Sequence, residues 1–486
     1  MNKSLLFASL LLAASLNAQE EATEPLPPAP ETDQVVPVAD ELPEAATAAD
    51  AAPAFATDEE ELIYQYERYV DLMNDNVYDE ADSVAKRVVE LAIIVKGPGS
   101  TDFAKALTNL AIVQHRNGEF NLAQQNFESA IEIIENNEDQ LDEQLVNPLR
   151  GLGASQLESG RPDRAAESFQ RAVHVTHVNM GPHNLDQIGI LESLSEARLR
   201  VGTIDEAKEI QDRIYALNER EYANNALDMV PSLMRRADWQ HRAGFINDQR
   251  TTLRRAIRII ESALGKDDMA LVEPLTKLGQ SFFYIDLTGT SRSSMSTVST
   301  GETHFKRALR IASEDPNANW QMIADTSLAL GDYYIFLENL QQAYKVYRAT
   351  WADLSKGDEQ LAFRRENLEQ WIPLRDNPFP KFASPPSKAA PTGQEVPLSQ
   401  GSITLTYDVT ARGRAENLQI IEAEPREFVS LHRNVQRALR KRIYRPRLVE
   451  GEAVSTEDQV IVHKYFYDQA ELDALRAQNA AESDET

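Results

Sequence analysis

The stretch LRGLGASQLESGRPDRAAESFQRAVHVT, Leu149–Thr176, decides the architecture of most of this chain. It reads as two amphipathic helices joined by a tight turn at Gly160. A glycine there tolerates the left-handed backbone that ends a helix. Asp163 follows where a side-chain oxygen is expected to cap the next helix by accepting a backbone N–H bond. Ala165 is small where two helices approach closely. Phe169 fills the space between them four residues later, and Ala172 is small again. On the first helix, Gly153 marks the matching point of close contact.

The same pattern recurs outward at a fixed period. Ala81, Ala123, Ala165 and Ala207 are each 42 residues apart, and Gly118, Gly160, Gly202 and Gly244 keep that spacing. Asn121, Asp205 and Asn247 repeat the expected capping role of Asp163, and Asn76, Tyr78 and Asp79 hold equivalent places in an earlier copy. Phe127 and Leu253 repeat the bulky position, Ala130 and Ala256 the second small one. Ala111, Ser195, Ala237, Gly279 and Gly331 repeat the first-helix contact of Gly153. In the sixth copy the second helix arrives ten residues late, with Phe305 and Ala308 at the marker places, and Ala343 returns to register. The inserted Thr288–Val298 stretch is rich in Ser and Thr. Ser299 and Glu302 after it are expected to form a capping box. A fixed period of this length signals a solenoid, because one hairpin cannot bury its apolar face alone.

The residues Leu152-Gly153, Ala165, Phe169 and Ala172, with their equivalents, resemble the tetratricopeptide repeat. The longer period is similar to that of kinesin light chains. The resemblance implies a mainly α fold, an α-α superhelical solenoid of about seven hairpins over residues 58–374, whose first helices line a concave, protein-binding groove. Residues projected into that groove are Lys105, Thr108, Ile112, His115, Asn147, Arg150, Glu192, Glu196, Met234, Asp238 and His241. Their mixed charge names no ligand.

Residues 375–400 carry six prolines and read as a linker through which no helix passes. Residues 401–467 then change character. Ile403, Leu405, Tyr407 and Val409 alternate with polar residues at strand periodicity. Ala411–Arg414 is a turn, and Leu418–Ile421 a second strand. Phe428, Leu431, Val435, Leu439 and Ile443 recur at helical spacing, with Arg445-Pro446 ending that helix. Glu450-Gly451-Glu452 is another turn. In the last strand Val460, Val462, Lys464 and Phe466 occupy one face, opposite Ile461, His463, Tyr465 and Tyr467. This strand, strand, helix, strand module is expected to be a small α+β (ββαβ) domain. With Gly401, Tyr407-Asp408-Val409, Gly413, Ala438-Leu439, Arg445-Pro446, Gly451 and Tyr465-Phe466-Tyr467, it resembles the C-terminal domain of the TonB family. That resemblance implies docking of a receptor peptide by strand addition along Val460, Val462, Lys464 and Phe466. It also implies a part in outer-membrane transport.

The N-terminus reads as an export signal: Lys3, then the apolar run Ser4–Leu16, then a cleavage site at Leu16-Asn17-Ala18. The run is shorter than the roughly 20 residues of a membrane-spanning helix. The expectation is a periplasmic location in a Gram-negative envelope, without stable membrane insertion. The other reading is a TonB-type energy transducer that keeps Ser4–Leu16 as an anchor. Residues 19–57 contain no Lys or Arg and many Pro, Ala and Glu, which reads as a disordered acidic tether. Residues 468–486 form an acidic tail.

A formal net charge of -28 argues against nucleic acid or an anionic lipid surface as partner. With no cysteine, disulfides, thiolate catalysis and cysteine metal sites are excluded. The sequence has no His-Glu-x-x-His, no phosphate-binding glycine loop and no nucleophile elbow. His174, His177 and His183 make an incomplete ligand set, and no metal or cofactor is expected. Arg433, Arg437, Arg440, Lys441, Arg442, Arg445 and Arg447 form a basic cluster, either a contact for an acidic partner, a phosphate-bearing envelope polymer or the chain's own acidic tether, or a solvated helix face balanced by nearby Glu. The whole reads as a non-enzymatic scaffold for protein partners, among them an outer-membrane receptor or envelope complex.

Overall fold

Seven helical hairpins follow one another along the chain: α1 (Asp58–Asn74) with α2 (Tyr78–Lys96), α3 (Thr101–Arg116) with α4 (Phe120–Asn137), α5 (Val146–Glu158) with α6 (Pro162–Met180), α7 (Ile188–Val201) with α8 (Ile204–Glu221), α9 (Val230–Arg242) with α10 (Ile246–Ala263), α11 (Val272–Gln280) with α12 (Met295–Glu314), and α13 (Trp320–Phe336) with α14 (Leu340–Asp353). The computed structural model describes residues 55–222, 226–284, 295–316, 318–375, 387–389 and 395–484. The expected signal, nearly all of the expected tether, and residues 288–294 of the insertion lie outside them. Each helix packs on its hairpin partner, and each second helix packs on the first helix of the next hairpin.

The small and large markers explain that packing. Ala81, Ala111, Ala123, Ala130, Ala165, Ala172, Ala207, Ala237, Ala256, Ala308 and Ala343 are all 0 % exposed. A Cβ placed on Gly153 would come within 2.7 Å of the Phe169 ring, and one on Gly279 within 2.7 Å of Phe305. Gly331 gives the same room to Tyr347, and Gly151 gives it to Phe127 of the preceding hairpin. Each ring is therefore seated against a residue with little or no side chain, and the register survives the insertion. Gly118, Gly160, Gly202 and Gly244 turn the chain at φ between 76° and 95°, and Asn76 does so at 60°.

The expected caps are displaced. α4, α6, α8 and α10 begin one residue before Asn121, Asp163, Asp205 and Asn247, and their N-cap positions make no side-chain cap bond. The four polar residues lie inside the first turn, where Asp163 and Asp205 meet the positive end of the helix dipole. Ser299 likewise lies inside α12 rather than at its start. Glu302 instead pairs with Lys306 and accepts the Tyr334 hydroxyl.

After α15 (Asp358–Asn367) the chain enters β1 (Ile372–Arg375), and two short strands, β2 (Ser387–Ala389) and β3 (Glu395–Pro397), pair with each other. The C-terminal module follows: β4 (Ser399–Val409), β5 (Ala415–Glu424), α16 (Val429–Lys441), β6 (Ile443–Arg445), the β7 (Arg447–Val449) and β8 (Glu452–Val454) hairpin, and β9 (Thr456–Tyr467). Its antiparallel sheet has the order β5-β4-β9. Leu431, Val435 and Leu439 of α16 are buried against it with Ile403 and Leu405. Residues of the acidic tail form α17 (Gln469–Asp484), with Leu472 buried in the same core. The expected helix is one turn shorter than its periodicity. Ile443 leaves it because Arg442 is extended, at ψ 146°, and β6 pairs with β1 from the end of the hairpin stack.

That pairing joins module and stack into a continuous core containing Ile443 and Leu448 beside Leu354 and Leu368. Arg445 is buried at its centre. Its Nε donates to Asp332 Oδ1 at 2.8 Å, Nη2 to Asp332 Oδ2 at 2.7 Å, and Nη1 to the Asn367 carbonyl at 2.9 Å. The Tyr347 hydroxyl donates to Asp332 Oδ1 at 2.7 Å. Burial alone would lower the Arg445 pKa, but the Asp332 carboxylate more than offsets this and holds it above its ordinary value. Burial, then Asp332, pushes the Tyr347 phenol up, so it stays a donor. Around this centre the Leu448 amide donates to the Leu368 carbonyl at 2.7 Å, and Tyr344 to the Ala411 carbonyl at 2.7 Å. Trp371 packs its edge on Tyr407 and Tyr444. Gly413, at φ 72°, has Tyr444 backbone where a Cβ would lie.

Removing one partner of a buried pair leaves an uncompensated charge. Asp332→Ala is therefore expected to cost about 3–5 kcal/mol in chemical denaturation, and Asp332→Leu with Arg445→Met to recover most of it. A loss below about 1 kcal/mol, the scale of an exposed pair, would contradict this assignment.

Candidate protein-docking surfaces

Two surfaces arise from this arrangement. One is the face shared by the first helices, α3, α5, α7, α9 and α11. The other is the outer edge of β9.

Polar contacts link the first helices from one hairpin to the next. His115 Nδ1 and Ser155 Oγ lie 3.0 Å apart. Glu192 pairs with Arg235 at 3.1 Å, and Glu196 with Arg242 at 2.9 Å. Asp238 holds Lys277 at 2.6 Å. His241 meets Tyr284 through a 3.3 Å contact from Nε2 to the hydroxyl and an edge-on ring contact at 4.9 Å. Thr108 is buried and donates to its own helix at Ala104 O, 2.8 Å. Lys105 lies 3.6 Å from Asp102. Met234 is buried, Ile112 half-buried and Asn147 exposed.

Seven of the eleven expected groove residues thus make side-chain contacts, five across hairpins and two, Lys105 and Thr108, within α3. The partners Arg235, Arg242 and Lys277 were missed by sequence reasoning. Their signal was an opposite charge about one repeat further on, at separations of 43, 46 and 39 residues. Arg150 differs. It is partly buried, its pKa is lowered by burial, and it has no hydrogen-bond or ion-pair partner among the described residues.

On the C-terminal sheet, β9 pairs with β4 along one side, and its other side has no strand partner among the described residues. Val460 and Val462 are 59 % and 53 % exposed, while Tyr465 on the opposite face is buried. Lys464 and Phe466 follow Val460 and Val462 on the outward face. The four residues expected for peptide docking thus share one face of an edge strand. Of the basic cluster, Arg433, Arg437, Arg440 and Lys441 are exposed on α16, whereas Arg445 is the buried partner of Asp332. Among the described residues no group of three His, Cys, Asp or Glu is placed to hold a metal ion, and no helix is long and apolar enough to cross a membrane.

A tetratricopeptide-repeat family profile matches residues 102–175, the hairpins α3–α4 and α5–α6. Among solved structures, the nearly identical TPR-like repeats of a kinesin light chain from Podosopora anserina align at 13 % identity over 45 % of this chain and 98 % of that one, with a TM-score of 0.37. Aspartyl phosphate phosphatase F from Bacillus subtilis aligns at 14 % identity over 61 % and 70 %, TM-score 0.38. BtubC from P. vanneervenii aligns at 16 % over 57 % and 91 %, TM-score 0.28. No curated protein matches the sequence.

His115 supplies a pH test of the first-helix face. Burial, then neighbouring Arg116, pushes its pKa from 6.5 down to about 4. The unfolded chain therefore binds the proton first, and stability falls as pH drops from about 6.5 toward 4. His115→Gln is expected to flatten that part of the stability profile, read as denaturation midpoints at pH 7 and pH 5. An unchanged slope would place His115 in solvent.

Proposed function

The chain carries tetratricopeptide repeats, and we propose that it is an exported adaptor of the periplasm. The repeats grip one protein through the first-helix face around Arg150. The C-terminal module captures an extended peptide of a second protein by adding it as a strand to β9, in an outer-membrane transport system of the TonB-dependent kind. The observation that carries this reading is the edge of β9, unpaired among the described residues, on a sheet joined to the last hairpin through Asp332 and Arg445. Unpaired ladder groups on an edge strand are a template for another chain. The outward Val460 and Val462 give such a strand an apolar surface to lie against. Because the module is fixed to the stack, the two partners would be held at a set separation.

The export signal and the likeness of Tyr407-Asp408-Val409, Arg445-Pro446 and Tyr465-Phe466-Tyr467 to the TonB family support the location and the transport setting. Replacement of that family's long spacer by helical repeats favours an adaptor over a motor-coupled transducer.

Peptides selected by display against the intact protein provide the test. Binding is expected to slow amide exchange along Thr456–Tyr467, and Val462→Pro is expected to weaken it more than tenfold, since proline removes a ladder N–H, while the helical signal and its melting stay unchanged. Undiminished binding by a folded Val462→Pro protein, or protection confined to the hairpins, would overturn strand addition at β9.

A further inference from the structure

The other edge of the sheet has different chemistry. β5 pairs with β4 on its inner side. On its outer side, beyond the single bridge from Arg414 to Ile443, it has no strand partner among the described residues. α16 packs next to β5. Its 13 residues include no Asp or Glu. Leu431, His432, Val435 and Leu439 form its buried side. Arg433, Arg437, Arg440 and Lys441 are exposed, at spacings that place them along one helix face. None of the four has a carboxylate partner among the described residues; Arg437 reaches only the Asn434 side-chain oxygen, at 3.1 Å. Like charges at this spacing repel, so the face is kept at a small cost to the helix. Arg440 lines an open recess with Ala415–Gln419 of β5, so the C-terminal end of the basic face meets β5. Ile420 and Ile421 stand beside it, 40 % and 61 % exposed.

We propose that β5 and α16 form a second docking groove, distinct from β9, for an extended acidic polypeptide. The incoming strand pairs with the outer edge of β5, and its carboxylates lie over Arg433, Arg437, Arg440 and Lys441. The polymer is a polypeptide for two reasons. The unpaired β5 backbone groups match a strand and not a lipid headgroup. A bilayer would also meet the whole molecule, whose net charge is -28, whereas screening over about 8 Å leaves a single strand in the field of α16 and of β5 itself. Glu416, Glu422 and Glu424 on β5 set the ligand's pattern. Acidic residues must alternate with neutral or apolar ones, so that carboxylates point to the helix side of the sheet and the intervening side chains to the other side, where Glu416, Glu422 and Glu424 stand opposite Asp408, Thr404 and Ser402.

The experiment uses the full chain and a fluorescein-labelled peptide of four Glu-Val repeats, with a Gln-Val counterpart and phosphatidylglycerol vesicles in parallel. The expected result is binding of the Glu-Val peptide that weakens steeply with salt and is at least tenfold tighter than that of the Gln-Val peptide. Amide protection should appear along Glu416–Ile421, and the vesicles should not bind. Arg433→Gln with Arg437→Gln and Arg440→Gln should reduce affinity at least tenfold without moving the melting temperature, and the corresponding changes to Glu should abolish binding. Absence of Glu-Val binding, equal affinity for both peptides, undiminished binding by the Gln variant, vesicle binding in its place, or protection confined to β9 would each overturn the proposal. Protection at β5 against protection at β9 separates this groove from the adaptor reading.

Discussion

The buried pairing of Arg445 with Asp332 makes one body of two modules that the sequence keeps far apart. Charges this deep are costly to bury, and their mutual attraction repays that cost only when geometry and remaining hydrogen bonds are nearly complete. Here they are: the guanidinium meets the carboxylate through two parallel bonds, a third bond goes to the Asn367 carbonyl, and Tyr347 takes up Asp332 again. Such a network favours one relative placement over neighbouring ones, because a shifted module would strand a charge. The apolar contacts around it, Ile443 and Leu448 with Leu354 and Leu368, supply cohesion without that directional demand.

The module also completes the solenoid. A stack of hairpins ends with an apolar face that has no further repeat to cover it. At the C-terminal end, β1, β6 and the β7-β8 hairpin take that place. Ion pairs at the rim, Arg348 with Glu452 and Arg414 with Glu338, lie outside this core and are worth little individually. At the other end α1 starts with Asp58, Glu59, Glu60 and Glu61, suited to the positive helix terminus, and the Thr57 side chain accepts the Glu60 amide. The result is a scaffold whose candidate docking surfaces are carried on packed elements, which would limit the ordering entropy lost on binding.

Much of this was legible because a repeat states the same rule many times. Ala165 or Phe169 alone means little, but the same choice every 42 residues fixes helix pairs and their close contacts. Local capping was less legible: Asn121 and its equivalents fit an N-cap by type, yet the helices start one residue earlier, within the ordinary slack of helix boundaries. Ile443 fitted the apolar period of α16, and only its register partner Arg375 in the strand Ile372–Arg375, far earlier in the chain, draws it into β6. The Arg445–Asp332 pair spans 113 residues and breaks no local pattern, so Arg445 read as one more member of a basic cluster. On the groove face, residue types were visible but their occupancy was not. Glu192, Glu196 and Asp238 are already held by cations from neighbouring hairpins, whereas Arg150 has no such partner among the described residues.

The central claim is that hairpins and C-terminal module open and close together. Native-state hydrogen exchange, followed as denaturant rises in small steps, measures this directly. Amides of α13, α14 and β6 are predicted to converge on one opening free energy and one denaturant dependence, as members of a single cooperative unit. Separate isotherms, with β6 and the sheet exchanging freely while α13 and α14 remain protected, would contradict it and leave two tethered domains in place of one scaffold.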